Sequence, residues 1–469
     1  LASLTPTGRL PDELGEEVLA RAEGNPLFLE ELVLHLEGPG MGALPDSLQA
    51  LLAARIDALP TADKRVLQRA AVVGRVFWED PVDRALGGER VAAGLRSLER
   101  RGFVVRRPAS SLPGQTELAF RHALIHEVAY RSIPKVQRAR AHAEVGAWLE
   151  ELAGGRRDDF AELLAYHFGA AAAEETAELA WAEPAVRQQV RARAFQHLVQ
   201  AGAAARRRFA VAKAVELHTQ AGSLASTDQE RRVVFEELGD DEGSAYHGEE
   251  AMAWWAQALA SARADRTSGA DRARLCRKLA WIMASTPGAF RSNPDPVVVD
   301  QFVTEGLAAA TDELSRAWLL LARGVSARLW RGSEPFGQGG QRDPVPIGER
   351  IADVEGALAA GEAAGLPELV AAASSALRVL YGVAGRYREV LALGRRELDG
   401  LATVGSRPEQ ANILRTASVL TVTISAQFEE GLAFARRSHE LSVDASPHQL
   451  MHATWPEMAA LYHLGRWTE

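Results

Sequence analysis

At 469 residues the chain is longer than one hydrophobic core supports, and it calls for two or three domains. Its 53 basic and 62 acidic side chains leave a formal net charge of −9, which argues against a surface built as a whole for nucleic acid or anionic membranes. The single cysteine, Cys276, excludes an internal disulfide framework and a thiolate metal cluster.

No apolar run reaches the roughly 18 residues that a membrane span needs, and the N-terminus lacks a charged-then-apolar export pattern, so a cytoplasmic location is expected. Aromatic residues make up only 6% of the chain. Ala, Leu and Arg crowd it instead, and these residues lose little freedom in a helix, so the composition favours helices.

In chain order, residues 10–60 read as three short helices. The first runs from Asp12 to Glu23 and stops at Gly24. The second opens at Asn25-Pro26, where Asn caps the first N–H groups and Pro suits the first helical position. Its apolar set Leu29, Leu32, Val33 and Leu36 keeps to one helical face. The third runs from about Asp46 to Leu59, and Pro60 ends it.

Residues 61–121 differ in texture. Helices are expected from Asp63 to Val73, around Val82–Leu86, and from Val91 to Arg101-Gly102. Two strand-like runs follow, Phe103 to Arg107 and Thr116 to Phe120, around a polar loop from Pro108 to Gln115. Three helices followed by two short strands make a winged-helix pattern, and no other sheet is expected. From Arg121 to about Ala173 the chain reads as helical with a break at Pro134.

After about residue 190 helical pairs follow in series. Aromatic residues recur in short polar turns at Phe209, Tyr246, Phe290, Tyr387, Phe428 and Trp467. The steps are 37, 44, 41 and 39 residues, with one gap across the Gly/Pro-rich stretch 331–348. A period near 40 with two helices per unit marks a helical solenoid. In this reading small residues let the helices approach closely, and each aromatic seals its turn against the next. The stretch 331–348 reads as an insertion in the array. Residue 1 is Leu, and the last repeat lacks a partner helix, so a piece of a longer protein is expected.

Chemical motifs are mostly missing. No Gly-Lys pair exists to build a phosphate-cradling loop, and Gly-x-Gly-x-x-Gly and Gly-x-Ser-x-Gly are absent too. His122 and His126 have metal-ligand spacing, but Ala-Leu-Ile stands between them where a metalloprotease carries its Glu. No metal site is expected. The pair Asp240-Asp241 reads as a solvated polar turn. Arg90, Arg96, Arg100 and Arg101 near the third helix of the winged unit read as a solvated face, and DNA contact is not expected from this segment.

The positive signal is the order of words in the first 170 residues. Ala22-Glu-Gly-Asn-Pro-Leu-Phe-Leu-Glu-Glu-Leu32 comes first, then Leu44-Pro-Asp-Ser-Leu-Gln-Ala-Leu-Leu-Ala-Ala-Arg-Ile-Asp57. Leu67-Gln-Arg-Ala-Ala-Val-Val-Gly-Arg-Val-Phe77 and Phe120-Arg-His-Ala-Leu-Ile-His-Glu-Val-Ala-Tyr130 follow, and Leu163-Leu-Ala-Tyr-His-Phe168 comes last.

The series resembles the region after the ATPase core in signal-transduction ATPases with numerous domains. It is nearest to class III adenylate/guanylate cyclases fused to an AAA-type ATPase and tetratricopeptide-like repeats, and MalT- and LuxR-type ATP-dependent regulators share the layout. The resemblance covers about residues 15–170.

It implies an all-α chain with a small β wing. A helical lid (1–60) and a winged-helix domain (61–155) would precede a tetratricopeptide-like α-solenoid (156–469). It also implies an upstream P-loop ATPase domain as partner, ATP or ADP with Mg in the intact parent, and no cofactor or catalytic residue in this chain. Gly24, Asn25 and Pro26 would then contact nucleotide, with Pro26 packing on the adenine, and His122 would reach the β-phosphate of ADP. Ala123 stands where the relatives with that histidine usually carry Asp. The solenoid would receive a protein or small-molecule inducer. The parent's output would be a nucleotide cyclase or, alternatively, transcriptional regulation, and a stand-alone repeat scaffold is the plainest reading.

Overall fold

The computed structural model describes residues 28, 29, 32, 47–87, 89–265, 269–330, 345–403, 407–443 and 447–468. The described residues form an all-α fold with one small sheet. The chain divides into two compact units, Leu1–Ala204 and Ala205–Glu469.

In the first unit, α1 (Leu48–Asp57) is capped by the Ser47 hydroxyl, which accepts from the Ala50 N–H at 3.2 Å. Its Leu51, Leu52 and Ile56 are buried, together with Leu32 from the preceding helix. Then come α2 (Thr61–Val73), β1 (Val76–Trp78), α3 (Glu79–Leu86), α4 (Glu89–Arg100), β2 (Val104–Arg106) and β3 (Glu117–Phe120). The two expected strands are present.

β1 is an addition that sequence patterning missed, because three residues after Gly74 carry no readable alternation. It completes an antiparallel sheet in the order β1-β3-β2, with Phe77 opposite Leu118 and Val105 opposite Ala119. Phe77, Val104, Leu118 and Phe120 are buried, and the Phe77 and Phe120 rings lie 5.6 Å apart.

α5 (Ala123–Arg131) and α6 (Lys135–Ala153) follow, separated at Pro134 as the sequence requires. Next are α7 (Ala161–Ala171), α8 (Glu174–Ala180) and α9 (Pro184–Arg207), inside which the division between units falls.

The second unit is a series of helices. They are α10 (Val211–Leu224), α11 (Asp228–Ser244), α12 (Gly248–Ala264), α13 (Gly269–Ser285), α14 (Pro296–Ala309), α15 (Glu313–Val325) and the short α16 (Ala327–Trp330). α17 (Ile347–Ala364), α18 (Pro367–Val383), α19 (Tyr387–Asp399), α20 (Arg407–Thr423), α21 (Phe428–Ser442) and α22 (Pro447–Leu464) complete it. Each packs chiefly on its neighbours in sequence, and α13 also meets α15 as α20 meets α22. The apolar interior accordingly forms successive clusters along the series, with Trp281 and Val325 packing against two of them. This is the packing of a solenoid.

The recurring turn is defined by backbone, and it corrects the aromatic register. Phe209, Tyr246, Gly385, Ala426 and Gly465 all have positive φ, between 55° and 75°. At four of these turns the next N–H bonds a carbonyl five residues back: Ala210 to Ala205, His247 to Glu242, Arg386 to Tyr381 and Arg466 to Leu461. These are left-handed helix C-caps closing the orphan carbonyls. Gln427 instead reaches Thr421.

Phe209 and Tyr246 therefore occupy the left-handed position itself, whereas Tyr387, Phe428 and Trp467 come two residues later. Phe290, with φ −112°, belongs to neither set. The aromatics do not seal the turns as a class, since Phe209, Tyr387 and Trp467 are more than half exposed. Phe428 does pack, stacked on His463 at 4.7 Å.

Candidate functional site

Of the residues expected to contact nucleotide, Gly24, Asn25 and Pro26 lie outside the described residues. His122 is half-buried between β3 and α5. Its backbone is extended (φ −135°, ψ 146°), and its carbonyl accepts from the N–H groups of Ile125 at 3.1 Å and His126 at 3.4 Å, so it starts the helix through its main chain.

His126, one turn on, faces elsewhere: its Nε2 lies 3.0 Å from the Ala71 carbonyl, and its ring meets Phe120 edge-on. Burial holds its pKa below the usual imidazole value. Among the described residues no three His, Cys, Asp or Glu side chains converge as a metal site. Arg90, Arg96, Arg100 and Arg101 are all exposed.

Two polar clusters were not read from the sequence. In the first unit, Tyr130 Oη lies 2.8 Å from His142 Nε2, and His142 Nδ1 lies 2.9 Å from His167 Nδ1. His167 also bonds the backbone of Val73. This row ties α2, α5, α6 and α7 together. Both histidines are buried, and desolvation of the charged form depresses their pKa values, to about 4 for His142 and about 3 for His167.

In the second unit, Asp240 and Asp241 are not a solvated turn; they sit within α11, and Asp241 is fully buried. Asp241 accepts from Arg206 Nη1 at 2.7 Å and lies 2.5 Å from His218 Nδ1. Asp240 accepts from Lys278 at 2.6 Å, and Glu236 accepts from Nε and Nη2 of Arg274, each at 2.8 Å. Burial alone would raise the Glu236 carboxyl, but Arg274 and Lys278 hold it near about 2.

The turn-like composition around the pair misled, because Gly239 and Gly243 serve packing. A Cβ at Gly239 would lie 2.5 Å from the Trp255 ring, whose Nε1 donates to Asp240 Oδ1 at 3.0 Å.

The second unit also holds a cavity of about 320 Å³ that no sequence motif announced. α18 forms its longest wall with Ala372, Ser375, Ala376, Val379 and Val383. Trp281 and Ser285 on α13, Val325 on α15, Ala327 on α16, Ile347 on α17 and Asn412 on α20 close it. The volume falls at the lower end of the range for small-molecule sites. Small residues on α18 leave the space, and bulkier groups from the facing helices bound it. Ala327 precedes the stretch 331–348 read as an insertion, most of which lies outside the described residues, and Ile347 near its end already opens α17.

No known family profile matches the chain, and no curated protein matches it in sequence. Among solved structures it is similar to a signal transduction ATPase with numerous domains carrying a tetratricopeptide repeat sensor, from Pyrococcus horikoshii. That likeness covers 99% of this chain and 70% of the other, at 12% identity and a TM-score of 0.40.

Proposed function

We propose that this chain is the regulatory and sensor portion of a signalling ATPase, without a catalytic site of its own. In this reading an upstream P-loop domain holds ATP or ADP with Mg. The helical lid and a winged-helix domain close over the nucleotide, and the helical array receives an inducer or partner. Binding on the array shifts the balance between a closed ADP form and an open ATP form. The parent is a nucleotide cyclase under ATPase control.

The observation that carries the reading is the order of elements, taken with the words that lie on them. α2-β1-α3-α4-β2-β3 with the sheet order β1-β3-β2 fits the succession of a winged helix and supports that reading, and His122 lies two residues after the last strand. The words at 67–77, 120–130 and 163–168 fall on those elements and the helices just after them, and a serial helical array follows. The alternative, an ATP-dependent transcriptional regulator, shares the switch and differs in output.

The test has two parts. Titration of this chain with ATP and ADP, with a hydrolysis assay, is expected to show neither micromolar binding nor turnover; either would overturn the claim that its site is incomplete. In the intact parent, Pro26→Ala and His122→Ala are each expected to speed ADP dissociation by about tenfold, the loss of one good contact. Unchanged dissociation in both variants would remove these residues from the site.

A further inference from the structure

The cavity along α18 has a chemistry that defines its occupant. Among the described residues none of its lining side chains is ionisable. A charged ligand would lose its hydration against these walls without gaining a counter-ion, which costs several kcal/mol. Polar groups are few. The Asn412 carboxamide oxygen accepts from Arg415 at 2.6 Å, which leaves its NH₂ as a donor among the described residues. The Ser375 hydroxyl lies one turn from Ala371 and from Val379 on the same wall.

Val379 and Val383 are 51% and 46% exposed although both line the cavity, so apolar surface stands in water there until something covers it. The walls come from α13, α15, α17, α18 and α20, which belong to successive parts of the array.

We propose that this cavity binds an uncharged, mainly hydrocarbon small molecule carrying a hydrogen-bond acceptor that meets the Asn412 amide. Such an occupant touches α13, α15, α18 and α20 at once and so holds their spacing. Its signalling role rests on the sensor reading above, whereas the site itself does not.

The experiment uses 6-propionyl-2-(dimethylamino)naphthalene, an uncharged fluorophore whose ketone is a hydrogen-bond acceptor, with the whole 469-residue chain. One probe is expected to bind per chain with enhanced, blue-shifted emission. Ala371→Phe and Ser375→Phe fill the cavity, and each is expected to weaken binding by about tenfold or more. Val383→Asp places a charge at an exposed position of the wall and should weaken binding by a similar factor, so the proposal remains testable if the Phe variants misfold by circular dichroism.

Binding unaffected by these substitutions would overturn the proposal and place the probe elsewhere, for instance on the exposed Trp455 and Met458 of α22. The same probe added to the intact parent reads the sensor role separately. Unchanged ADP dissociation alongside binding that Ala371→Phe abolishes would sink the sensor reading and leave the site standing.

Discussion

A single carbon added to Gly324 would lie 2.2 Å from Cγ2 of Val354, so α15 and α17 meet with no room for a side chain between them. Gly356 lies on the same α17 with nothing within 4 Å of where its Cβ would be. The two glycines therefore predict opposite outcomes for one substitution. Gly324→Ala forces helices apart or off their rotamers and should cost about 1–3 kcal/mol. Gly356→Ala removes only backbone freedom from an exposed helical position and should gain about 0.5–1 kcal/mol. Urea unfolding of the two variants side by side decides the matter; equal shifts would mean that the close approach of these helices is wrong.

Asp241 joins two partners from different helices, Arg206 and His218, and all its surface is buried. Asp241→Asn keeps the shape and removes the charge, so Arg206 keeps Glu237 at 2.7 Å as a counter-ion but loses its fully buried partner, and His218 loses the carboxylate at its Nδ1. Weakening these two charge-assisted hydrogen bonds at a buried site should cost about 1–3 kcal/mol. Asp228→Asn, at the exposed start of the same helix, pairs Arg231 in solvent and should cost well under 1 kcal/mol. A comparable loss in both variants would show that Asp241 is not the keystone of this contact.

The contrast between these two residues explains how far the sequence could be read. Periodicity found the helices α1 to α4 and the two strands before and after the polar loop, because burial on one face leaves a pattern that neighbours share, whereas the two helices expected before Leu48 lie outside or almost outside the described residues. The array followed from recurring turns, though the recurring feature is a left-handed backbone position, which Phe209 and Tyr246 adopt as Gly385 and Gly465 do. Charge pairing between helices was less visible. Glu236 and Asp240 face Arg274 and Lys278 at matching four-residue spacing, a signal that local composition around Gly239 and Gly243 concealed. The cavity left no trace at all, since absent volume at Ala372, Ser375 and Ala376 reads in sequence as good helix formers.

Cys276 offers a probe of the array's cohesion. It is fully buried in the cluster formed by α12 to α15, and desolvation with a contribution from Glu305 pushes its thiol up to about 12. The folded chain should therefore react with a water-soluble disulfide reagent only as fast as α13 opens. Adding urea below the unfolding midpoint should accelerate the reaction in step with local opening. Rapid labelling of the native chain at neutral pH would contradict the burial of α13.

The row from Tyr130 through His142 to His167 makes the first unit sensitive to acid, and the sign follows from the depressed pKa values. Unfolded histidines take up protons near pH 6.5, whereas folded His142 and His167 resist until about 4 and about 3. Between these limits the unfolded state binds more protons, so stability is complete above about pH 6.5 and falls as the pH drops through this window. Each histidine contributes up to about 1.4 kcal/mol per pH unit across the steep part. The Nδ1–Nδ1 contact adds a constraint, because only one of the two atoms carries a proton in the neutral pair and a second proton there would set two N–H donors against each other. A His142→Leu/His167→Leu variant should be less stable at pH 7, having lost the bonds to Tyr130 and Val73, yet show a flatter decline between pH 6.5 and 4. Urea unfolding at half-unit pH steps, followed by a signal assigned to the first unit, measures both slopes. Parallel slopes for the two proteins would mean that other groups govern the acid response.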